Sequence, residues 1–323
     1  MFRTVIEPDE TSFEFNLNNR IISLGSCFAD TMGARLSDSK FNILVNPFGI
    51  VFNPLSIFEL LELSLERSEI IDNGLVKRDG QFFHYKLHSS FSNRSRKALL
   101  QAFDHQLDVV REALYDYNKI ILTFGSAYTY RQKDTQLLVS NCHKMPQQQF
   151  EKSLLTVEDI VTAFFGVHEM IKQINPKVEF ILTVSPIRHT KESLTLNSVS
   201  KSVLRLTCHY LSTMAEDVYY YPAYEIVMDD LRDYRFFEKD MIHPNEQAVD
   251  YIWNHFSSNH FDSGTRTLIQ KWDKICKALN HKPFNPKSSG HQAFLKQTLS
   301  QLEKLSGVLD VEKEIEAVKK QIL

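Results

Sequence analysis

Cysteine is scarce in this chain, and its placement argues against the sites that paired cysteines usually build. The 323 residues include four cysteines, Cys27, Cys142, Cys208 and Cys276, which lie far apart and never form a Cys-x-x-Cys pair. Disulfide frameworks are typical of small secreted domains, and structural zinc sites use closely spaced cysteines. We therefore expect reduced thiols and no structural metal site.

Long apolar runs and basic tracts are also missing. No stretch of 18 apolar residues occurs, so no membrane-spanning helix is predicted. Lys and Arg number 37 against 40 Asp and Glu, and the formal net charge of −3 comes without a basic cluster. This balance disfavours nucleic acid and anionic membranes as partners. Because Met1 to Pro8 hold no apolar signal core, we expect a cytoplasmic protein, although a mature chain without its leader would look the same.

Short apolar runs alternate with longer amphipathic stretches. Lys119 to Gly125 and Val178 to Val184 are nearly continuous apolar runs, typical of central parallel strands that are buried on both faces. Further strands are predicted at Arg20 to Gly25, Phe41 to Val45 and Val218 to Tyr221. The predicted helices are Ala29 to Leu36, Pro54 to Leu65, Arg96 to Tyr115, Val157 to Ile174, Leu194 to Met214 and Asn245 to Phe256. This alternation predicts an α/β fold, with a parallel sheet covered by helices on both faces.

Two insertions and a tail stand outside the alternation. Leu75 to Phe83, centred on Asp79-Gly80, predicts a β-hairpin, and a second hairpin is predicted from Tyr128 to His143. Residues 281–290 are typical of a linker. We expect one hydrolase-like domain over residues 1–280 and a tail of two amphipathic helices over residues 291–323. The tail either packs on the domain or mediates self-association.

A Gly-Ser turn follows the first predicted strand. Gly25-Ser26-Cys27 places Ser26 at the carboxyl end of that strand, where ligands bind in open α/β sheets. The next helix N-terminus offers N–H groups to a developing oxyanion. Ser26 also suits a plain helix cap. Cys27 is an alternative nucleophile, although its side chain should point away from that of its neighbour.

An Asp-x-x-His pattern near the end of the predicted domain offers the base that a serine nucleophile needs. Asp240 can bend back to Nδ1 of His243 and leave Nε2 to face a serine. Pro244 is expected to open the next helix, which would place His243 at or near its N-cap. A cap serine and a surface histidine explain either pattern alone. Together the two patterns predict a nucleophile, a base and an orienting acid.

These motifs, with three others, resemble the GSCFA family, which is usually placed within or beside the SGNH hydrolase superfamily. Gly25-Ser26-Cys27-Phe28-Ala29 spells the name of the family. The other similar stretches are Asn46-Pro47-Phe48-Gly49, Asn141-Cys142-His143-Lys144 and the run from Asp230 to Phe236. The resemblance covers about residues 1–260. It implies a three-layer α/β/α sandwich, flavodoxin-like, around a mostly parallel five-stranded sheet.

The resemblance also assigns catalytic roles. Ser26 matches the nucleophile, and Asp240 with His243 match the remaining catalytic pair. The backbone N–H of Ser26 and that of Gly49 would form part of the oxyanion hole. Apart from the substrate, the sequence offers one partner, a second copy of the chain, in the case that the C-terminal helices mediate self-association instead of packing on the domain.

One oxyanion donor is missing from the pattern. SGNH enzymes usually carry Gly-x-Asn-Asp in their third block, whereas this chain has Gly125-Ser126-Ala127-Tyr128, with alanine where asparagine is expected. Losing one such donor reduces the rate by about 10²–10³, so an active enzyme should replace it. Asn141 is the predicted replacement, with Ser126 as the second choice.

The resemblance implies a serine-dependent ester hydrolase or acyltransferase that needs no metal or organic cofactor. By analogy, its substrate is an O-acyl ester such as an acylated carbohydrate. Ser126, His143 and Arg188 are predicted to contact this substrate. The rival interpretation is a binding module that keeps the fold without useful catalysis. The missing asparagine supports that rival, and the intact catalytic residues oppose it.

Overall fold

Strands and helices alternate along the chain as the apolar pattern predicts. The computed structural model describes residues 3–7, 13–66, 74–191 and 193–323, so Met1, Phe2 and Pro8 of the N-terminal stretch considered above lie outside it. The strands are β1 (Arg20–Gly25), β2 (Asn42–Val45), β3 (Leu75–Arg78), β4 (Gln81–His84), β5 (Lys119–Phe124), β6 (Tyr128–Gln132), β7 (Leu138–Val139), β8 (Phe150–Leu154), β9 (Glu179–Val184) and β10 (Val218–Tyr220). The helices are α1 (Cys27–Asp38), α2 (Pro54–Glu66), α3 (Arg96–Asp116), α4 (Val157–Ile174), α5 (Leu194–Met214), α6 (Ala223–Glu225), α7 (Glu246–His260), α8 (Ser263–Leu279), α9 (Ser289–Leu305) and α10 (Glu312–Lys319).

The central sheet is parallel and has five strands in the order β2-β1-β5-β9-β10. Along the chain this is the order 2-1-3-4-5, in which the direction of winding reverses between β1 and β5. In open α/β sheets such a reversal point is where ligands bind, outside the carboxyl ends of the strands, and we call this edge of the sheet between β1 and β5 the strand-end crevice. Ser26 follows β1 directly at this point.

Successive residues of the central strands alternate between two apolar cores, and this confirms the three-layer sandwich. Ile120, Leu122 and Phe124 of β5 pack toward α2, α3, α4 and α5. Ile121 of the same strand and Ile181 of β9 face the opposite core, which α1 and α7 cover. Period-two alternation with apolar residues on both sides is what a sheet buried on both faces requires.

Both predicted hairpins form. β3 and β4 pair antiparallel around Asp79 and Gly80, whose positive φ angles of 51° and 76° suit a tight hairpin turn. β6 pairs with β7, and β8 adds a third strand that the sequence analysis did not predict. β6 follows β5 directly, and the N–H of His88, after β4, donates to Phe48 on the turn after β2 at 3.1 Å, so both insertions reach the carboxyl edge of the central sheet.

Helix α8 extends the chain beyond the last predicted helix of the domain. Its Trp272 and Ile275 pack against Leu295 and Leu302 of α9. An ion pair of 2.8 Å between Lys40 and Glu314 links the tail to the loop after α1. The domain division at residues 281–290 remains our proposal; residues 280–288 join α8 and α9. In the part of the chain that the structure describes, no helix has the length and apolarity to cross a membrane.

Candidate active site

The turn after β1 requires a glycine. Gly25 has a φ of +150°, and a Cβ at this position would lie 2.3 Å from the carbonyl oxygen of Thr123 on β5. Its N–H donates to Oδ1 of Asn46 at 2.8 Å. The missing side chain therefore lets β1 end against β5 and places the next residue at the carboxyl edge of the sheet.

Ser26 is the N-cap of α1, and its hydroxyl is buried among polar partners. Its Oγ accepts a hydrogen bond from the N–H of Phe28 at 3.2 Å and donates to Oγ of Ser185 at 2.9 Å. The residue is 2% exposed. Its backbone N–H donates to Thr123 at 3.2 Å. In this structure the candidate nucleophile thus binds the loop after β9 rather than His243.

The stretch Asn46-Pro47-Phe48-Gly49 is a turn that follows β2. The N–H of Gly49 donates to the carbonyl of Asn46 at 2.7 Å, and Gly49 has a φ of +72°. A Cβ on Gly49 would lie 2.4 Å from the Cβ of His88, so a larger residue would displace the neighbouring loop. Since Asn46 also binds Gly25, this turn sits beside the one that carries Ser26.

Asp240 and His243 pair as the sequence predicts. Nδ1 of His243 lies 2.6 Å from Oδ2 of Asp240, while the N–H groups of Ile242 and His243 donate to Oδ1. These backbone hydrogen bonds, and then the contact with the imidazole, lower the pKa of Asp240 to about 2. Met241 takes a φ of +59°, which closes the loop tightly enough for the pair to form. Within the described residues, Nε2 of His243 makes no hydrogen bond.

Helix α7 begins later than expected. Asn245 is its N-cap, with a side chain that accepts from the N–H of Ala248 at 3.1 Å. Pro244 instead pairs with Phe237 in an isolated bridge. The expectation that Pro244 opens the helix is therefore wrong, because Asn245 supplies a better cap. His243 lies two residues before the cap, on a loop that is about half exposed.

Arg188 joins this loop to the strand-end crevice. Its N–H donates to Ile242 at 3.3 Å, and Nη1 donates to Met241 at 2.9 Å. The guanidinium lies 4.1 Å from the ring centre of Phe237. A cavity of about 160 Å³ opens here. It is lined by Arg188, Val227, Met228, Arg232, Asp233, Tyr234 and Phe237. The predicted substrate contact at Arg188 therefore has a cavity beside it.

Two residues that the sequence analysis missed stand behind Ser26. Ser185 is fully buried after β9, and its Oγ accepts from Ser26 and from the N–H of Ile187. Lys201 of α5 donates from Nζ to the carbonyls of Gly125 and Ser185, each at 2.7 Å. It thereby ties the loop after β5 to the loop after β9.

No carboxylate pairs with Lys201 among the described residues, and burial lowers the pKa of this lysine to about 7. One sequence signal could have revealed it. Leu204, Cys208 and Leu211 follow Lys201 at intervals of three or four residues, and all are buried. The lysine therefore occupies the core-facing register of an amphipathic helix, where a charged side chain is unusual.

The third block follows β5 but presents no side-chain donor from Ala127. This residue is fully buried, and its N–H donates to Oγ of Ser200 at 2.8 Å. Oγ of Ser126 accepts from the N–H of Tyr128 at 3.1 Å and lies 3.4 Å from Oγ of Ser200. Ser126 thus directs its hydroxyl toward α5.

Asn141 and His143 connect the second insertion to the loop beside Gly49. Oδ1 of Asn141 accepts from the N–H of His143 at 2.9 Å, and its Nδ2 makes no hydrogen bond within the described residues. The ring of His143 lies 3.0 Å from Oγ of Ser89 and 2.8 Å from the carbonyl of His84. Burial lowers the pKa of His143. Both of its ring nitrogens are therefore engaged within the protein.

Cys27 is a poor rival to Ser26. Burial, and then the nearby carboxylate of Asp30, raise the pKa of its thiol, which disfavours the reactive thiolate. The described residues also contain no group of three or more His, Cys, Asp or Glu side chains that could hold a metal ion. Ser26, His243 and Asp240 therefore remain the candidate reactive groups.

The comparisons with known proteins agree with the motifs. The model of the GSCFA family matches residues 20–256, and a second model, the C-terminal domain of GSCFA domain proteins, matches residues 272–323. No curated protein matches the sequence. A solved structure of a carbohydrate esterase family 3 protein from Talaromyces cellulolyticus is 13% identical and covers 52% of this chain and 67% of its own, with a TM-score of 0.27. That similarity is too low to support an argument.

Proposed function

The chain belongs to the GSCFA family, and we propose that it is a serine-dependent hydrolase of ester bonds in the SGNH superfamily. The observation that carries the proposal is the pairing of Nδ1 of His243 with Asp240 at 2.6 Å. This contact fixes the tautomer in which Nε2 can accept a proton. The loop that holds the pair is bound through Arg188 to the segment that begins at Ser185, the partner of Ser26.

In the proposed reaction, the hydroxyl of Ser26 turns from Ser185 to Nε2 of His243. As His243 takes the proton, Oγ attacks the acyl carbonyl, and Asp240 stabilises the imidazolium. The tetrahedral intermediate then collapses: His243 returns the proton to the departing alcohol, and an acyl-enzyme remains. Water, or an acceptor hydroxyl in an acyltransferase, releases the acyl group through the same base.

The proposed oxyanion donors are the N–H groups of Ser26 and Gly49 and the side chain of Asn141. The first two donate to Thr123 and Asn46 in this structure, so the oxyanion has to compete with those carbonyls. The 3.2 Å contact of Ser26 is the weaker one. Within the described residues Nδ2 of Asn141 makes no hydrogen bond, and His143, two residues further on, is anchored beside Ser89. This free amide supports Asn141 as the replacement for the missing asparagine.

For the substrate we propose an O-acyl ester of a carbohydrate, by analogy with the superfamily. Arg188 has a cavity beside it and is the predicted substrate contact with the most direct structural support. The roles of Ser126 and His143 in substrate binding remain proposals. Their polar groups are engaged inside the protein, so they would act on the substrate by shaping the loops after β5 and β7.

A binding module without catalysis is the second candidate. It is favoured by the burial of Ser26 and by the engagement of the N–H groups of Ser26 and Gly49 in internal hydrogen bonds. In such a protein the hydroxyl of Ser26 would not need to change its hydrogen-bond partner from Ser185 to His243. The two candidates therefore differ in whether the hydroxyl of Ser26 can be made nucleophilic.

A fluorophosphonate probe distinguishes the candidates, because it labels only an activated serine. Wild type should be labelled, while Ser26→Ala and His243→Gln should not. Ser258→Ala, which removes an exposed hydroxyl on α7, serves as the matched control and should be labelled like wild type. Hydrolysis of a p-nitrophenyl acetate ester in the same four proteins gives an independent rate.

Each outcome of this experiment decides between the candidates. Equal labelling of wild type and Ser26→Ala would remove Ser26 from the nucleophile role. Labelling of none of the proteins, together with no ester hydrolysis, would favour the binding module. Labelling that persists in His243→Gln at the wild-type rate would exclude His243 as the base.

A further inference from the structure

Helix α5 carries a stripe of six apolar side chains, five of which are exposed and belong to no apolar core among the described residues. The stripe consists of Leu196, Val199, Val203, Leu206, Tyr210 and Met214, spaced three or four residues apart. This spacing places them in one line along the helix. Val203 is partly buried, and the other five are between 41% and 61% exposed. We call this surface the α5 stripe.

Charged groups are almost absent from the outer side of this helix. Lys201 and Arg205 are the only Lys, Arg, Asp or Glu residues between Leu194 and Met214. Lys201 is buried, and Arg205 pairs with Glu225 and stacks on Tyr220. A solvent-facing helix usually carries charges, whereas the core of a protein interface is depleted of them and enriched in Tyr and Met.

We propose that the α5 stripe is the interface of a two-fold symmetric homodimer, in which α5 packs antiparallel on α5 of a second copy. Apart from Leu196 at the N-terminal end, the side chains are graded in size about Leu206, with Val199 and Val203 on one side and Tyr210 and Met214 on the other. An antiparallel copy places the valine end against the tyrosine and methionine end. Small residues then face large ones, and Leu206 faces its own copy, as an isologous interface requires.

The stripe supplies more than half of the area that such an interface needs. From the fractional exposures, its five exposed members leave about 500 Å² accessible, against the roughly 800 Å² that each partner buries in a standard interface. A groove of about 510 Å³ adjoins the stripe and can add to the contact. It is lined by Lys201, Ser202, Arg205, Leu206, His209 and Tyr224. A closed two-fold dimer also covers an apolar surface without leaving a second open face.

The C-terminal helices have less exposed apolar surface to offer a dimer interface than the α5 stripe. The apolar side chains of α9 and α10, such as Leu302 and Val318, already pack with Trp272 inside one chain. Self-association through those helices remains a prediction from the sequence. Among the described residues, the five exposed members of the α5 stripe belong to no apolar core, and the stripe lies on a different helix of the sandwich.

Sedimentation equilibrium from 1 to 100 µM tests the proposal. Wild type should be dimeric at tens of micromolar, and Leu206→Glu should be monomeric, with a Kd raised at least 100-fold. Leu194→Glu is the matched control, because Leu194 is 53% exposed on the same helix but lies off the stripe. It should dimerise like wild type. A monomeric wild type at 100 µM, or a dimeric Leu206→Glu, would overturn the proposal.

Disulfide trapping tests the arrangement without placing a charge on the helix. Under mild oxidation, Leu206→Cys should form a covalent dimer, because the two copies of residue 206 face each other. Leu194→Cys should not, and circular dichroism should show that both variants are folded. If Leu206→Cys gives no more covalent dimer than Leu194→Cys, the antiparallel packing about Leu206 is wrong.

Discussion

Replacing Lys201 by methionine should remove a pH dependence of folding stability. The ammonium group is fully buried, donates to two carbonyls and has no carboxylate partner among the described residues, and its pKa falls from 10.5 to about 7. In the unfolded chain this lysine binds a proton up to about pH 10. Between pH 7 and 10.5 the unfolded state therefore holds more protons, so the stability of the wild type rises with pH.

The size of the effect follows from the two pKa values. Integrating the proton-binding difference between pH 7 and 9.5 gives a rise of about 3 kcal/mol in the free energy of unfolding. Methionine has no proton to release, but it leaves the carbonyls of Gly125 and Ser185 without a donor, at about 1–3 kcal/mol each. At pH 7 the variant gains stability because it no longer buries a partly charged lysine, and it loses stability because the two carbonyls lack a donor. These two changes nearly cancel. Lys201→Met should then be close to wild type at pH 7 and about 3 kcal/mol less stable at pH 9.5.

Urea unfolding at several pH values measures this difference. Subtracting the variant from wild type removes the contributions of all other titrating groups. Lys271→Met, the same substitution at an exposed position on α8, should give a curve parallel to wild type. The test quantity is the free energy of unfolding of wild type minus that of Lys201→Met. If this difference changes by less than about 1 kcal/mol between pH 7 and 9.5, the assignment of a lowered pKa to the buried lysine is refuted.

Three further substitutions test the site. Gly25→Ala should lower the free energy of unfolding, measured by urea titration, by about 3 kcal/mol or more, because its Cβ would meet Thr123 at 2.3 Å. The control is Gly166→Ala, in an open position of α4, which should raise the free energy of unfolding by about 1 kcal/mol. Asp240→Asn should reduce kcat about 10²–10⁴-fold. The pKa of Asp240 is about 2, so this carboxylate should not contribute to any fall in the wild-type rate that occurs above about pH 3. A kcat of Asp240→Asn within threefold of wild type would contradict the proposed role of Asp240 in orienting His243. Ser185→Ala should raise the rate of fluorophosphonate labelling about threefold to fivefold, since Ser26 no longer has to leave Ser185; slower labelling would mean that Ser185 positions the nucleophile instead.

The sequence predicted those parts of the molecule in which residues close along the chain act together. The apolar strands, the hairpin at Asp79-Gly80 and the ends of α4 and α5 agree with expectation, because periodicity and turn chemistry are local properties. The pairing of Asp240 with His243 belongs to the same class, since a spacing of three residues on a tight loop brings the carboxylate to Nδ1. The N-terminus of α7 lies two residues later than predicted, because both Pro244 and Asn245 can start a helix.

Only the tertiary structure decided what surrounds Ser26. Its hydroxyl meets Ser185, 159 residues away, and Lys201 secures that loop together with Gly125. These contacts depend on the strand order, which sets the ends of β1, β5 and β9 side by side, and no spacing in the sequence encodes it. The chain therefore specifies by itself the groups that can react. How far the proposed nucleophile Ser26 lies from the proposed base His243 depends on the packing of the loops at the edge of the sheet.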